Sequence, residues 1–236
     1  GIPRQQEAGG GTFEFFGLQI RTRNPVFVLD RSGSMLVPAD QDDWEVVDGQ
    51  VQFAPPGIES RWDRLRTELR TVIEALANIE DATFAIVWYA DNVETFGDGQ
   101  IFEATENNIE NVLDYIDEIE AEGLTNSYEG LERGFEICTN APMDGAVVTG
   151  EIELVADSIY FLSDGVPTTG PPINGVAPGS PAYSQNLLEL VQQWNSTRHL
   201  TINTILMGDG GDATFMQRLA NQNGGEFRHV RDHGDD

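Results

Sequence analysis

The sequence predicts an α/β domain: a doubly wound, mostly parallel central sheet with helices on both faces. Three observations carry this. Short apolar runs without polar alternation recur along the chain, the pattern of strands buried on both faces. Between them lie stretches with apolar residues at helical spacing. The two kinds of segment alternate, as a parallel sheet with crossover helices requires. At 236 residues, 39% of them hydrophobic, the chain can fill one well-packed domain or at most two small ones.

The elements follow in order. Phe13 to Ile20 reads as an extended segment leading in. Pro25-Val26-Phe27-Val28-Leu29 is a continuous apolar run and the first buried strand. A helix is expected from Arg61 to Asn78, with Leu65, Leu69, Val72, Ile73 and Leu76 on one stripe; Ser60 and Asp63 have the spacing of a capping box at its start. Ala82 to Ala90 is a second buried strand. Thr105 caps a helix carrying Ile109, Val112, Leu113, Ile116 and Ile119, and Asn126 or Ser127 opens another that runs to Cys138. Asp157 to Leu162 is a strand, Ser184 to Ser196 a helix, Leu200 to Leu206 a strand, Asp212 to Asn223 a helix and Glu226 to Val230 a last strand. Gly224-Gly225 stops the last helix. A small hairpin is expected within Val147 to Val155, and Arg231 to Asp236 reads as a frayed tail.

Composition excludes several functions. There are 40 acidic residues against 13 basic ones, a net charge of −27, and every basic residue is arginine. Such a chain repels nucleic acid and anionic lipid. Two readings of the acidity stay open: a cation-rich setting or basic partners, or general solubility tuning as in salt adaptation. Without lysine there is no Walker-type phosphate loop, no Schiff base and no lysine general base. Cys138 is the one cysteine, so internal disulfides and cysteine zinc sites are excluded, and a buried apolar role is expected for it. No apolar run reaches the ~18 residues of a membrane span. Gly1 to Gln6 lacks a signal pattern and looks like a cut end.

Three polar clusters stand where strands or loops end: Asp30-Arg31-Ser32-Gly33-Ser34, Gly123-Leu124-Thr125-Asn126, and Ser163-Asp164-Gly165. In an open parallel sheet, ligands bind beyond the carboxyl ends of the strands, where strand order reverses. Two carboxylates and three hydroxyls are hard oxygen donors. With no histidine or cysteine among them they suit Mg²⁺, Mn²⁺ or Ca²⁺ rather than zinc. Neutral hydroxyl donors would leave the cation free to take one more hard oxygen, such as a partner's carboxylate.

These motifs resemble those of von Willebrand factor type A domains. Phe27 to Met35 is similar to the family's Asp-x-Ser-x-Ser loop, which forms the metal-ion-dependent adhesion site. Gly123 to Asn126 is similar to its threonine loop and Phe161 to Gly165 to its second aspartate motif. Ile205 to Gly208 and Leu219 to Gly225 resemble the closing strand and helix. The resemblance implies a Rossmann-like fold over residues 24–230, preceded by a leader at 1–23 and followed by a tail at 231–236. It implies Ser32, Ser34 and Thr125 as direct ligands of Mg²⁺, with Asp30 and Asp164 acting directly or through water. It further implies a non-enzymatic, cation-dependent protein-binding module for adhesion, scaffolding or assembly. The expected partner is a protein donating a carboxylate, and the expected setting is a monomeric domain of a larger extracytoplasmic, envelope or secreted protein. The alternatives are a structural domain with an idle metal site and a metal-assisted hydrolase.

Two long loops, 36–60 and 165–183, depart from a minimal domain, and both are expected on the metal face. In the first, Trp44 to Val47 and Gln50 to Phe53 flank Asp48-Gly49, a hairpin signal with a type I′ turn. The second is rich in proline and glycine, hence irregular but stiff. Both are expected to wall the cation and select the partner. Gly208 to Asp212 reads as a turn and helix cap, with a second cation site as the lesser alternative. His229 and His233, four apart, are expected to bind no metal, and Asn195-Ser196-Thr197 is a glycosylation acceptor only in a secreted eukaryotic protein.

Overall fold

Strands of this chain are apolar on both faces because both faces are covered. In the computed structural model, which describes residues 13–140, 143 and 154–232, the chain begins with a short hairpin of β1 (Glu14–Phe15) and β2 (Leu18–Gln19). Then comes β3 (Pro25–Asp30), every residue of which is buried. A second hairpin, β4 (Val46–Val47) with β5 (Gln50–Val51), precedes α1 (Arg61–Leu76). After it come β6 (Thr83–Tyr89), β7 (Val93–Thr95), β8 (Phe102–Glu103), α2 (Glu106–Glu118) and α3 (Ser127–Thr139). The chain closes with β9 (Ser158–Ser163), α4 (Pro181–Asn195), β10 (Thr201–Met207), α5 (Ala213–Gln222) and β11 (Phe227–Val230).

The main sheet runs β11-β10-β9-β3-β6-β7, with β8 also paired to β6. β11, β10, β9, β3 and β6 are parallel to their neighbours; β7 and β8 lie antiparallel on the β6 edge. The expected doubly wound, mostly parallel sheet is therefore what forms. Alternate residues of each strand serve opposite faces. Phe27, Leu29, Ile86 and Trp88 pack with Leu65, Leu69, Val72 and Ile73 of α1 and with Val112 and Ile116 of α2. Val26, Val28, Ala85 and Val87 face Leu131 and Phe135 of α3, Leu187 and Val191 of α4, and Leu219 of α5. Each of the valine, leucine, isoleucine and phenylalanine side chains among them contributes roughly 1.5–3 kcal/mol by leaving water.

Helix starts follow the local chemistry. At α1 the capping box is complete: the Ser60 hydroxyl accepts from the Asp63 N–H, and the Asp63 carboxylate accepts from the Ser60 N–H. Thr105, Asn126 and Asp212 cap α2, α3 and α5. α4 starts earlier than expected, at Pro181 behind the Ser180 cap, because proline at the first helical position needs no N–H partner.

Three expectations need correction or restriction. The leading segment is a hairpin rather than a single strand, turning at Phe16 (φ 52°) and Gly17 (φ 77°), and it places Phe15, Phe16, Leu18 and Ile20 in the core. The tail is not frayed at Asp232, which is buried and ion-paired with Arg61. The hairpin expected within Val147 to Val155 falls almost wholly outside the described residues.

Candidate metal centre

Strand order reverses between β3 and β9. From β3 the chain steps one way to β6, and from β9 the other way to β10 and β11. The last residue of β3 is Asp30, and Asp164 follows the last residue of β9. The switch point thus lies between two buried carboxylates.

The Asp30 carboxylate is oriented by its own frame. Its Oδ1 accepts from the Ser32 N–H at 2.8 Å, a local turn that bends the chain off the strand. Its Oδ2 accepts from the Ser163 hydroxyl at 2.7 Å. A single 3-10 turn then runs over Gly33–Leu36, anchored by Met35, which is fully buried beneath it. The turn brings the Ser32 and Ser34 hydroxyl oxygens to 3.0 Å, and Ser34 donates to Asp164 Oδ1 at 2.7 Å. Asp30, Ser32 and Asp164 are buried while Ser34 is exposed, so the cluster opens to solvent at Ser34.

The threonine loop is fastened to this frame from three sides. Gly33 N–H donates to Gly123 O at 3.0 Å, Asn126 N–H to Ala90 O at 3.1 Å, and Thr168 N–H to Thr125 O at 2.9 Å. Thr125 N–H in turn donates to the Thr168 hydroxyl at 3.0 Å. Gly123 has φ +79°, and a Cβ there would stand 2.3 Å from Asp91 Oδ2, so the loop requires glycine. The buried Thr125 hydroxyl lies 3.8 Å from where a Cβ on Gly165 would sit, next to Asp164. Arg31 braces the loop from below: its side chain donates to Glu120 O and pairs with Glu94, and its carbonyl accepts from Glu122 N–H.

Sequence reasoning missed a second layer. Arg61, the first residue of α1, donates from Nη1 to Asp164 Oδ2 at 2.9 Å. Its Nε and Nη2 donate to the two oxygens of Asp232 at 3.0 and 2.6 Å. The Trp44 ring lies over the guanidinium, centroid 6.0 Å from Cζ. The nearest signal in the sequence is a charged residue directly after a helix cap that points to the carboxyl end of the sheet. Nothing local marks Asp232, 171 residues away, as its partner.

Burial, and next the nearby negative charge of Asp164, push the Asp30 carboxyl up to about 7, against the hydrogen bonds from Ser32 and Ser163. Burial also raises Asp164, although Arg61 and Ser34 oppose it. Burial works against the Arg61 charge, but Asp232 and Asp164 more than restore it and leave the guanidinium above its ordinary value. Two buried carboxylates this uncomfortable as anions would gain from a cation between them.

The oxygens of Ser32, Ser34 and Asp164 have a spacing that one hard divalent ion could use. At metal–oxygen distances of about 2.0–2.1 Å, neighbouring oxygens of an octahedron stand about 3.0 Å apart. The Ser32–Ser34 and Ser34–Asp164 oxygens are already 3.0 and 2.7 Å apart. The two secondary possibilities noted in the sequence have other roles. Asp212 Oδ1 accepts from the Phe215 N–H as a helix cap, and His229 Nε2 lies 2.8 Å from Gly208 O and 3.4 Å from Asp209. His233 lies outside the described residues.

Comparison with known proteins gives a consistent result. The chain is 25% identical to human inter-alpha-trypsin inhibitor heavy chain H6 over 217 residues, 91% of this chain and 14% of the relative. It is also 25% identical to human heavy chain H2 over 238 residues, covering 97% of this chain and 21% of the relative. It thus spans about a fifth or less of the curated relatives it matches. A von Willebrand factor type A protein from Catenulispora acidiphila superimposes with a TM-score of 0.52 at 17% identity, over 87% of this chain and 38% of that one. The chain has the fold of von Willebrand factor type A domains. The PilB minor pilin of Streptococcus sanguinis superimposes on this type A fold with a TM-score of 0.59 at 18% identity, over 88% of this chain and 56% of the pilin. The pilus adhesin SpaC of Lactobacillus rhamnosus GG does so with a TM-score of 0.58 at 13% identity, over 87% of this chain and 28% of the adhesin. No family model matches the chain.

Proposed function

We propose that this type A domain is a cation-dependent protein-binding module. Ser32, Ser34 and Thr125 hold one Mg²⁺ directly, and Asp30 and Asp164 hold it directly or through water. Mn²⁺ and Ca²⁺ are the alternatives that the same oxygen donors admit. The observation that supports this best is the Ser32–Ser34–Asp164 chain of oxygens, set at octahedral spacing and open to solvent at Ser34. The cation supplies an electron-poor centre that takes one further oxygen, and a carboxylate from a protein partner is the matching donor.

The rim supports a protein rather than a small anion as that partner. Leu124, beside Thr125, is 53% exposed, and Val166, close after Asp164, is 38% exposed. In the first insertion, whose Trp44 lies over Arg61, Val46, Val47 and Phe53 are more than half exposed. Exposed apolar side chains around a polar centre suit an interface with an apolar surround. Pilin and pilus adhesin neighbours with this fold support adhesion or assembly, and with it an extracytoplasmic place in a larger protein. In this reading the module is non-enzymatic, and the serine hydroxyls serve as oxygen donors to the cation.

The test is calorimetry with Mg²⁺ and capture of partners from the native source in Mg²⁺ or chelator. Wild type should bind one Mg²⁺ and capture a protein that chelator releases. Asp30→Ala should lose both while keeping its far-ultraviolet circular dichroism. Wild-type-like heat from Asp30→Ala, or capture indifferent to chelator, would refute the proposal.

A further inference from the structure

The Arg61 guanidinium has no freedom at its present position. All three of its nitrogens donate: Nη1 to Asp164, Nε and Nη2 to Asp232. The three side chains are nearly sealed from solvent, at 7%, 0% and 2% exposure for Arg61, Asp164 and Asp232. Gly208 packs so tightly on the guanidinium that a Cβ there would stand 2.1 Å from Nη2. Asp232 is itself fixed: its Oδ2 accepts from Asp209 N–H at 3.3 Å and its carbonyl from Gln41 N–H at 2.9 Å. A planar fork gripped by a bidentate carboxylate does not swing aside at small cost.

The consequence falls on Asp164. One oxygen, Oδ2, is committed to Arg61, and the other, Oδ1, faces Ser34. Both oxygens of Asp30 already accept hydrogen bonds from the frame. Calcium prefers six to eight oxygens at ~2.3–2.6 Å and commonly takes a carboxylate through both atoms, whereas Mg²⁺ is content with six at ~2.0–2.1 Å and retains water. The charges agree with a single divalent ion. Asp30, Asp164 and Asp232 against Arg61 leave two negative charges, which one such ion neutralises.

We propose that Arg61 determines which cation the site accepts: by holding Asp164 Oδ2 it limits that carboxylate to one oxygen, and so selects a small six-coordinate ion against Ca²⁺. This rests on the cation site proposed above. Arg61 touches neither the cation nor the partner; it is a positioning residue that acts through Asp164, clamped from behind by Asp232.

The deciding variant is the double change Arg61→Gln with Asp232→Asn. It removes one positive and one negative charge together, so the site keeps its net charge while Asp164 Oδ2 becomes free. Mg²⁺ and Ca²⁺ are titrated separately by calorimetry into wild type and the double variant, with folding checked by circular dichroism. Wild type should prefer Mg²⁺, and the double variant should shift the ratio of affinities toward Ca²⁺ by about tenfold or more. A folded double variant with a ratio within about twofold of wild type overturns the selectivity role and leaves the cation site standing. Wild type that binds neither ion overturns the cation site, and this inference with it. Should the double variant not fold, the Nη1–H resonances of Arg61 in wild type, which report its bond to Asp164, decide. They should keep their slow exchange with water when Mg²⁺ saturates the site; their release on loading would show that the clamp opens and would overturn the inference.

Discussion

Arg31 and Arg61 are both buried arginines at the carboxyl end of the sheet, and they differ in what surrounds them. The partners of Arg31, Glu94 and Glu122, are 49% and 75% exposed, and its buried Nε has no hydrogen-bond partner. The partners of Arg61, Asp164 and Asp232, are closed to water, and every nitrogen is used. Water can replace what Arg31 gives to its glutamates. It cannot reach the carboxylates that Arg61 neutralises. Arg31 therefore acts as a brace for a loop, while Arg61 belongs to the charge balance of the site.

The sharpest way to break this comparison is to remove each cation. Arg61→Met leaves Asp164 and Asp232 buried and uncompensated, and should cost about 3–5 kcal/mol in urea unfolding. Asp30 comes next. Its carboxyl, raised by burial and by Asp164, gives the cation-free protein stability that is present below the ordinary aspartate range and lost as pH rises through about 7. Unfolding in chelator should therefore show this contribution fading between mildly acidic and neutral pH. Saturating Mg²⁺ should offset the loss, and Asp30→Asn should flatten the slope. Arg31→Met should be milder, on the order of 1 kcal/mol, because its glutamates stay solvated. A loss equal to that of Arg61→Met would erase the distinction. The smallest effect is expected at the first insertion. Exchange of Val46 and Val47 for serine should change stability by less than about 0.5 kcal/mol, since both are exposed. Capture of the partner should weaken, and unchanged capture would show that the hairpin plays no part in recognition.

Much of the fold could be read from the chain because its causes are local. Unbroken apolar runs at Val26 to Leu29 and Phe84 to Val87 mark strands covered on both sides, and Ser60, Thr105 and Asp212 cap helices through bonds spanning three residues. The turn at Asp48-Gly49 was equally legible, with φ 51° and 79° as a type I′ hairpin demands. The first hairpin was not, because a phenylalanine at φ 52° carries none of the usual turn chemistry. The short antiparallel strands β7 and β8 were missed because two or three residues hold no period. At the site, motif order pointed to Asp30, Ser32, Ser34, Thr125 and Asp164 at the carboxyl end of the sheet. The ring of partners behind them came from distant pairing. Arg61 and Asp232 are joined across 171 residues and Asp30 and Ser163 across 133, distances at which no sequence periodicity speaks.

All of this depends on five oxygen-bearing side chains sharing one ion. Crystals grown with Mn²⁺ and measured at the manganese absorption edge address that most directly. The expected result is a single strong anomalous peak per chain, within bonding distance of Ser32 Oγ, Ser34 Oγ and Thr125 Oγ1. A fully loaded crystal with no peak there, or with its peak at another carboxylate cluster, would contradict the account.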